Sequence, residues 1–327
     1  MESRTFLSTD LISIVVPAFN SESFVTVTLT RIIQDMELMG NPFEIVIVND
    51  GSSDYTWIEI QKFAIRDTRI VAINLLKNYG QHSALMCGLR HTQGKYVVTL
   101  DDDLQNPPEE IPRLLNYCVQ GNYDLVIGEF VEPKKARFRV LGTEVVNRIV
   151  TRVFNKPSEL KLSTFRVIRR DVVNRVCQSN NPTPYITGEL LFAAASISNI
   201  EVRHDQRIAG NSSYNPFKIL ELVRRITFSY SIELLRIACR LGTLTAVLAF
   251  LFSAIMTIRG MALNGVVPGW TSMVTTISFF SGIIIFLLSL IGEYLSVVLL
   301  QTLGTPAYRE AAIVKNGQLV DVGSTNW

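Results

Sequence analysis

Charge is missing from two long stretches of this 327-residue chain, residues 241–258 and 260–292, although it is spread through the 240 positions before them. At ~1.5 Å rise per residue, roughly 18 to 20 apolar residues cross most of a ~30 Å hydrocarbon layer, so the two stretches read as a pair of membrane helices. Arg224, Arg225, Arg236 and Arg240 precede the first span, whereas the loop between the spans has only Arg259 at its edge. This asymmetry places the large N-terminal part in the cytoplasm. Two spans return residues 301–327, with Arg309 and Lys315, to the same side, and Trp270 beside Pro268 and Gly269 suits the far interface. The expected location is the inner (plasma) membrane with both termini cytoplasmic. No cleavable signal peptide is expected, because Glu2, Arg4 and Asp10 interrupt the first residues and the next apolar run is short.

Cysteine is scarce. Cys87, Cys118, Cys177 and Cys239 form no Cys-x-x-Cys pair and match no zinc spacing, so reduced structural thiols are expected. Phosphate-binding signatures are missing too. No Gly-x-x-x-x-Gly-Lys-Ser/Thr run occurs and no Gly-x-Gly-x-x-Gly follows the first apolar run, which excludes a P-loop and a dinucleotide fingerprint. The basic residues are dispersed, with no helix-turn-helix or RNA-binding signature, so nucleic acid is not an expected partner. The net charge of +2 averages a soluble part with membrane spans and decides little.

What is present is an alternation. Short β-rich apolar runs at 12–17, 43–49, 70–75, 96–100 and 124–128 are separated by helical patterns at 22–39, 55–66, 82–92 and 109–120. This predicts an α/β fold with a mostly parallel, doubly wound sheet, whose ligands collect outside the carboxyl ends of the strands. Polar residues gather at those ends: Asn20 and Glu22, then Asp50 to Asp54, then Lys77 to Gln81, then Asp101, Asp102 and Asp103. Three adjacent carboxylates repel one another, and strand alternation sends Asp101 and Asp103 to one side, which suits a hard divalent cation. An Asp-rich turn capping the next helix is the plainer alternative. An EF-hand loop is excluded, because Asn106 stands where its glycine belongs and Pro112 where its bidentate Glu belongs. Asp50 at a strand end suits a base edge or a ribose hydroxyl.

Several lines in order carry a resemblance: residues 14–20 (Ile-Val-Val-Pro-Ala-Phe-Asn), 48–54 (Val-Asn-Asp-Gly-Ser-Ser-Asp), 77–84 (Lys-Asn-Tyr-Gly-Gln-His-Ser-Ala) and 100–109 (Leu-Asp-Asp-Asp-Leu-Gln-Asn-Pro-Pro-Glu). Residues 207–214 (Arg-Ile-Ala-Gly-Asn-Ser-Ser-Tyr) add a fifth, and 269–272 with 291–294 extend it into the spans. In these the chain resembles family 2 glycosyltransferases of the GT-A fold, and within them the membrane-anchored polyprenyl-phosphate glycosyltransferases. The resemblance implies transfer of one sugar from a nucleotide sugar to a polyprenyl phosphate, with inversion at the anomeric carbon. It implies that Asp101, Asp103 and Gln105 hold Mg²⁺ or Mn²⁺. Pro17, Phe19, Glu22, Asp50, Asn78, Gln81, Asp101 and Asp102 would bind the donor nucleotide. Asp103, Arg207, Arg139 and Arg166 would be catalytic, the arginines through the departing diphosphate or the acceptor phosphate.

The chain departs from the family pattern in three places. The acid often found just before the Phe-Arg pair is missing, leaving Glu159 as the only carboxylate near Phe165 and Arg166. The first-loop carboxylate comes one position late in Asn20-Ser21-Glu22, and the usual Ser-Lys-Tyr is Ser212-Ser213-Tyr214. The reaction does not demand a strong base, because a phosphate monoester with a second pKa of about 6 is already mostly ionised near neutral pH. Positioning that anion and stabilising the departing diphosphate matter more.

Residues 138–154 and 216–227 read as basic amphipathic helices suited to a membrane surface. Asn316-Gly317 between apolar triplets signals a tight hairpin, expected to pair with the main domain or a neighbouring subunit. The expected organisation is a glycosyltransferase domain over 1–213, interfacial helices over 214–240, two spans over 241–300 and a tail over 301–327, in a homo-oligomer joined through that tail. A UDP-sugar donor is expected, glucose first, with a UDP-4-amino-4-deoxyarabinose derivative or GDP-mannose as alternatives, in service of cell-envelope glycans. A processive polysaccharide synthase would bring more spans and a Gln-x-x-Arg-Trp motif, and neither is here. An inactive nucleotide-sugar-binding scaffold is the remaining alternative.

Overall fold

The structure is a computed structural model that describes residues 9–103, 105–130, 151–203 except 152, 155 and 158, isolated positions between 240 and 251, and 269–321. The chain divides into two compact units, Met1–Ile219 with Gly304–Trp327, and Leu220–Leu303.

The first unit is built on strands β1 (Ile12–Ala18), β2 (Phe43–Asn49), β3 (Ile70–Leu75) and β4 (Tyr96–Thr99), joined by helices α1 (Val25–Met39), α2 (Thr56–Arg66) and α3 (Gln81–His91). β1 is buried at every position, as expected of a parallel strand covered on both faces. α1 buries Val25, Leu29, Ile32 and Met36, a stripe at helical spacing that packs into the main core. These four strands pair in parallel, in the order β4-β1-β2-β3. α4 (Ile111–Gln120) leads to β5 (Leu125–Phe130). β6 (Arg166–Arg169), α5 (Arg170–Cys177), α6 (Ile186–Ala193) and β7 (Ile197–Val202) follow.

Beyond the central four strands the expectation of a mostly parallel sheet is corrected. The sheet is mixed and nine-stranded, in the order β7-β5-β6-β4-β1-β2-β3-β8-β9. β6 runs antiparallel to both β4 and β5. On the other side β8 (Glu310–Lys315) and β9 (Gln318–Asp321) form an antiparallel hairpin, and β8 pairs antiparallel with β3. Asn316 and Gly317 turn it, with φ of 53° and 74°, the backbone a tight two-residue turn requires.

The tail is thus the continuation of the sheet, and Val314 is fully buried in the same core as Ile70 and Ala72. Replacing Val314 with Asp would place an unpaired charge there and should cost about 3 kcal/mol or more. The expected result is early thermal unfolding and rapid proteolytic clipping around residues 304–307; wild-type resistance would show that the hairpin adds nothing to the domain.

In the second unit the main described element is α7 (Trp270–Thr302). Its segment Phe279–Leu299 is long and apolar enough to cross a membrane. It reaches past the charge-free run and includes Glu293. The first expected span, and the amphipathic stretches at 138–154 and 216–227, lie largely or wholly outside the described residues, so a two-span hairpin is not established.

Candidate active site

A cavity of about 370 Å³ opens at the carboxyl ends of the parallel strands, lined by Pro17, Ala18, Phe19, Asp50, Asn78, Gly80, Gln81, Asp101, Asp102 and Asp103. Strands β1 to β4 each deliver one segment of this wall, because parallel strands connected by helices present all their carboxyl ends on one edge.

Asp50 follows β2 and is almost fully buried. Its carboxylate accepts the backbone N–H groups of Tyr79 at 2.7 Å and Gly80 at 2.9 Å, fastening the β3–α3 loop to the β2–α2 loop. Burial raises its pKa and these two hydrogen bonds oppose the rise. Asn20 and Glu22 tie the loop after β1 to the loop after β2. Asn20 Oδ1 accepts the Ser53 N–H at 3.0 Å, and Glu22 Oε2 accepts the Tyr55 N–H at 2.9 Å. Glu22 therefore braces one loop against the next and is not among the cavity-lining residues.

The acidic segment is fixed from several directions. Gln81 Nε2 donates to Asp101 Oδ1 at 2.6 Å and Thr164 Oγ1 to Asp101 Oδ2 at 2.5 Å. Ser21 Oγ donates to Asp102 Oδ2, and Thr28 Oγ1 to the Asp102 carbonyl at 2.8 Å. Asp103 Oδ1 accepts the Gln105 N–H at 3.2 Å. Strand alternation would send only Asp101 and Asp103 to one side, yet all three carboxylates line the cavity. β4 ends at Thr99, and Asp102 and Asp103 lie in a turn, so the two-residue alternation of a strand no longer applies. Burial pushes the Asp102 carboxyl up to about 7; Ser21 opposes this and the charges of Asp101 and Asp103 add to it. The Asp101 carboxyl is also raised, by burial first, then by Asp103, against its hydrogen bond from Thr164.

Arg166 does not line the cavity. It is 1% exposed on β6, where Nε donates to Thr99 Oγ1 at 3.2 Å and Nη1 to Thr187 Oγ1 at 3.4 Å. Burial lowers its pKa to about 10, while Asp101 pulls it back up. Its Nη2 is buried with no hydrogen-bond partner among the described residues. Arg166 thus stands behind the acidic wall as a fixed positive charge. Arg139 and Arg207 lie outside the described residues.

The donor set offered to a metal is oxygen only, crowded and electrostatically strained, which fits a hard cation such as Mg²⁺ or Mn²⁺. Of the three expected ligands, Asp101 and Asp103 line the cavity; Gln105 is not among the cavity-lining residues, and its described contact is through its backbone. Ser21, Thr28 and Thr164 are site residues that the sequence did not reveal. Lone hydroxyls carry no pattern, and each meets the acidic segment across more than 60 residues of chain.

The description Glycosyl transferase family 2 matches residues 13–177. Undecaprenyl-phosphate 4-deoxy-4-formamido-L-arabinose transferase of Edwardsiella ictaluri (strain 93-146) is 30% identical over 96% of this chain and 97% of its own length. Bactoprenol glucosyl transferase of Shigella phage SfX is 30% identical over 91% of this chain and 97% of its own. Among solved structures, glucosyl-3-phosphoglycerate synthase from Mycobacterium tuberculosis is similar with a TM-score of 0.49 and 19% identity, over 67% of this chain and 76% of that one. With the matched segment running from β1 through α5 and near-full-length likeness to two sugar transferases, the chain belongs to glycosyl transferase family 2 and is a glycosyltransferase.

Proposed function

We propose that this enzyme transfers one sugar from a nucleotide sugar to undecaprenyl phosphate at the cytoplasmic face of the inner membrane, with inversion, for modification of cell-envelope glycans. The observation that carries the reading is the cavity in which Asp50, Asn78 and Gln81 face Asp101, Asp102 and Asp103. Such a wall repels a diphosphate unless a cation intervenes, and a divalent ion, when bound, supplies the counter-charge for the leaving group.

In this reading an oxygen of the acceptor phosphate forms a bond to the anomeric carbon as the carbon–oxygen bond to the diphosphate breaks. The electron pair leaves with the diphosphate. A strong proton acceptor is not required of the chain, since the acceptor oxygen is already mostly ionised near neutral pH. Pro17 and Phe19 would flank the base, and Asp50 would accept from the nucleoside with the lone pairs its loop contacts leave unused. Asp101 and Asp103 would hold the metal, Gln81 and Thr164 would orient Asp101, and Arg166 would offset the acidic charge from behind. Arg139 and Arg207 are assigned to the phosphates on their motif positions alone.

The lipid acceptor is supported by the names of both near-full-length relatives and by the apolar segment of α7. Two spans with cytoplasmic termini remain part of the proposal, as does a homo-oligomer, for which exposed Leu319 and Val320 on the outermost strand offer a surface. The donor proposed first is UDP-glucose. A 4-deoxy-4-formamido-L-arabinose donor is the second reading, favoured by likeness over 96% of the chain. GDP-mannose is a third.

Incubating the purified chain with Mg²⁺, undecaprenyl phosphate and each radiolabelled donor in turn should give one labelled, lipid-extractable product. Label in long soluble polymer would identify a processive synthase. Absence of lipid-linked label with every donor would leave a binding scaffold.

A further inference from the structure

A second cluster of metal-ligating groups stands apart from the donor cavity. Cys87 and His91 are four residues apart on α3 and therefore share one face of the helix. Glu310, the first residue of β8, faces them from the tail. Glu310 Oε1 lies 3.4 Å from Cys87 Sγ and 2.9 Å from His91 Nε2, and the three ligand atoms all fall within 4.8 Å of one another.

We propose that Cys87, His91 and Glu310 form a structural binding site for a transition metal of the zinc class, which staples the C-terminal hairpin to α3. Ligand atoms at roughly 2.0–2.3 Å from one zinc ion sit about 3.3–3.8 Å apart, so small side-chain adjustments suffice. Thiolate, imidazole and carboxylate are the donors zinc takes, whereas the oxygen-only donor cavity suits harder ions. One thiolate and one carboxylate balance a dication, leaving the imidazole neutral. Cys87 is fully buried, while the His91 and Glu310 side chains keep 27% and 18% exposure, so the site is open on one side to a fourth ligand, water or the nearby Tyr308 phenol.

Arg90 is the neighbouring cation. Its guanidinium is engaged elsewhere, donating to the Ser179 carbonyl at 2.9 Å and to Tyr308 Oη at 3.4 Å. Its charge favours the Cys87 thiolate, while burial and Glu310 hold the thiol protonated until a metal displaces the proton. The alternative is a hydrogen-bonded triad only, with Cys87 and His91 sharing Glu310. The cluster was invisible to cysteine spacing because its third ligand is more than 200 residues away.

The test uses the full chain in detergent, stripped with chelator and titrated with Co²⁺ as an optical stand-in for zinc. One equivalent should develop a thiolate-to-cobalt charge-transfer band with tetrahedral d–d bands, and Zn²⁺ should bleach both. Cys87→Ser should remove the charge-transfer band, and Glu310→Gln should weaken binding at least tenfold; the Asp101→Asn/Asp103→Asn double variant should keep the band. Saturating Zn²⁺ should raise the unfolding temperature of the wild type and leave that of Cys87→Ser unchanged. A folded wild type without the band, a band that survives Cys87→Ser, or equal thermal shifts in both proteins would overturn the site. Should Cys87→Ser fail to fold by circular dichroism, an unweakened Glu310→Gln titration overturns it alone.

Discussion

Asp103→Asn should lower sugar transfer by about 10³-fold or more while leaving the protein folded, because it removes one negative charge where the proposed leaving-group counter-ion would be held. Asn keeps the shape and can still accept the Gln105 N–H that Asp103 accepts at 3.2 Å, so the turn should persist. The loss should fall mainly on kcat, since charge on the departing diphosphate develops in the transition state, and higher Mg²⁺ or Mn²⁺ should restore little. A variant with wild-type turnover at saturating metal would end the assignment of Asp103. Asp102→Asn makes the sharper comparison. The Asp102 side chain accepts from Ser21 whereas Thr28 holds its backbone carbonyl, so Asn at 102 should disturb only the Ser21 contact, with a smaller kinetic effect.

Gly51→Ala should raise the KM for the nucleotide sugar at least tenfold and destabilise the domain by about 2–4 kcal/mol. Gly51 has φ of +62°, and a Cβ there would sit 2.3 Å from the Lys77 carbonyl carbon and 2.5 Å from the Asn78 nitrogen. Both neighbours are backbone and cannot rotate away, so the β2–α2 and β3–α3 loops must part. That movement pulls Asp50 from the Tyr79 and Gly80 amides and shifts Asn78 out of the cavity wall. Gly40→Ala is the control: φ is similarly positive at +77°, but nothing lies within 4 Å, so it should cost about 1 kcal/mol and leave KM unchanged. Equal KM values for the two variants would show that loop contact does not shape donor binding.

The parallel half of the sheet was legible because β1 to β4 are continuous apolar runs, and such runs between helical segments have one economical arrangement. β6 was not legible. Its four residues begin and end with arginine, and Arg166 is tolerable inside only because Thr99 and Thr187, 67 and 21 residues away in sequence, accept from it. The site was legible as a set of strand ends, and Asp50, Asn78, Gln81 and the three aspartates do share one cavity. Sequence periodicity did not show that Glu22 braces one loop against the next across the strand ends, nor that Asp102 turns to the cavity with its neighbours because its strand stops at Thr99.

The sequence by itself determined the α/β alternation, the edge at which a ligand would gather, the acidic character of that edge and the apolar segment of α7. All of these are local: they follow from side-chain periodicity and from the identity of residues adjacent in the chain. Tertiary structure alone decided which hydroxyls fasten the aspartates, where Arg166 is buried, and that the tail completes the sheet beside β3. It also brought Glu310 to Cys87 and His91. These contacts depend on chain segments that meet only after folding, and no periodicity along the sequence encodes the distance between them.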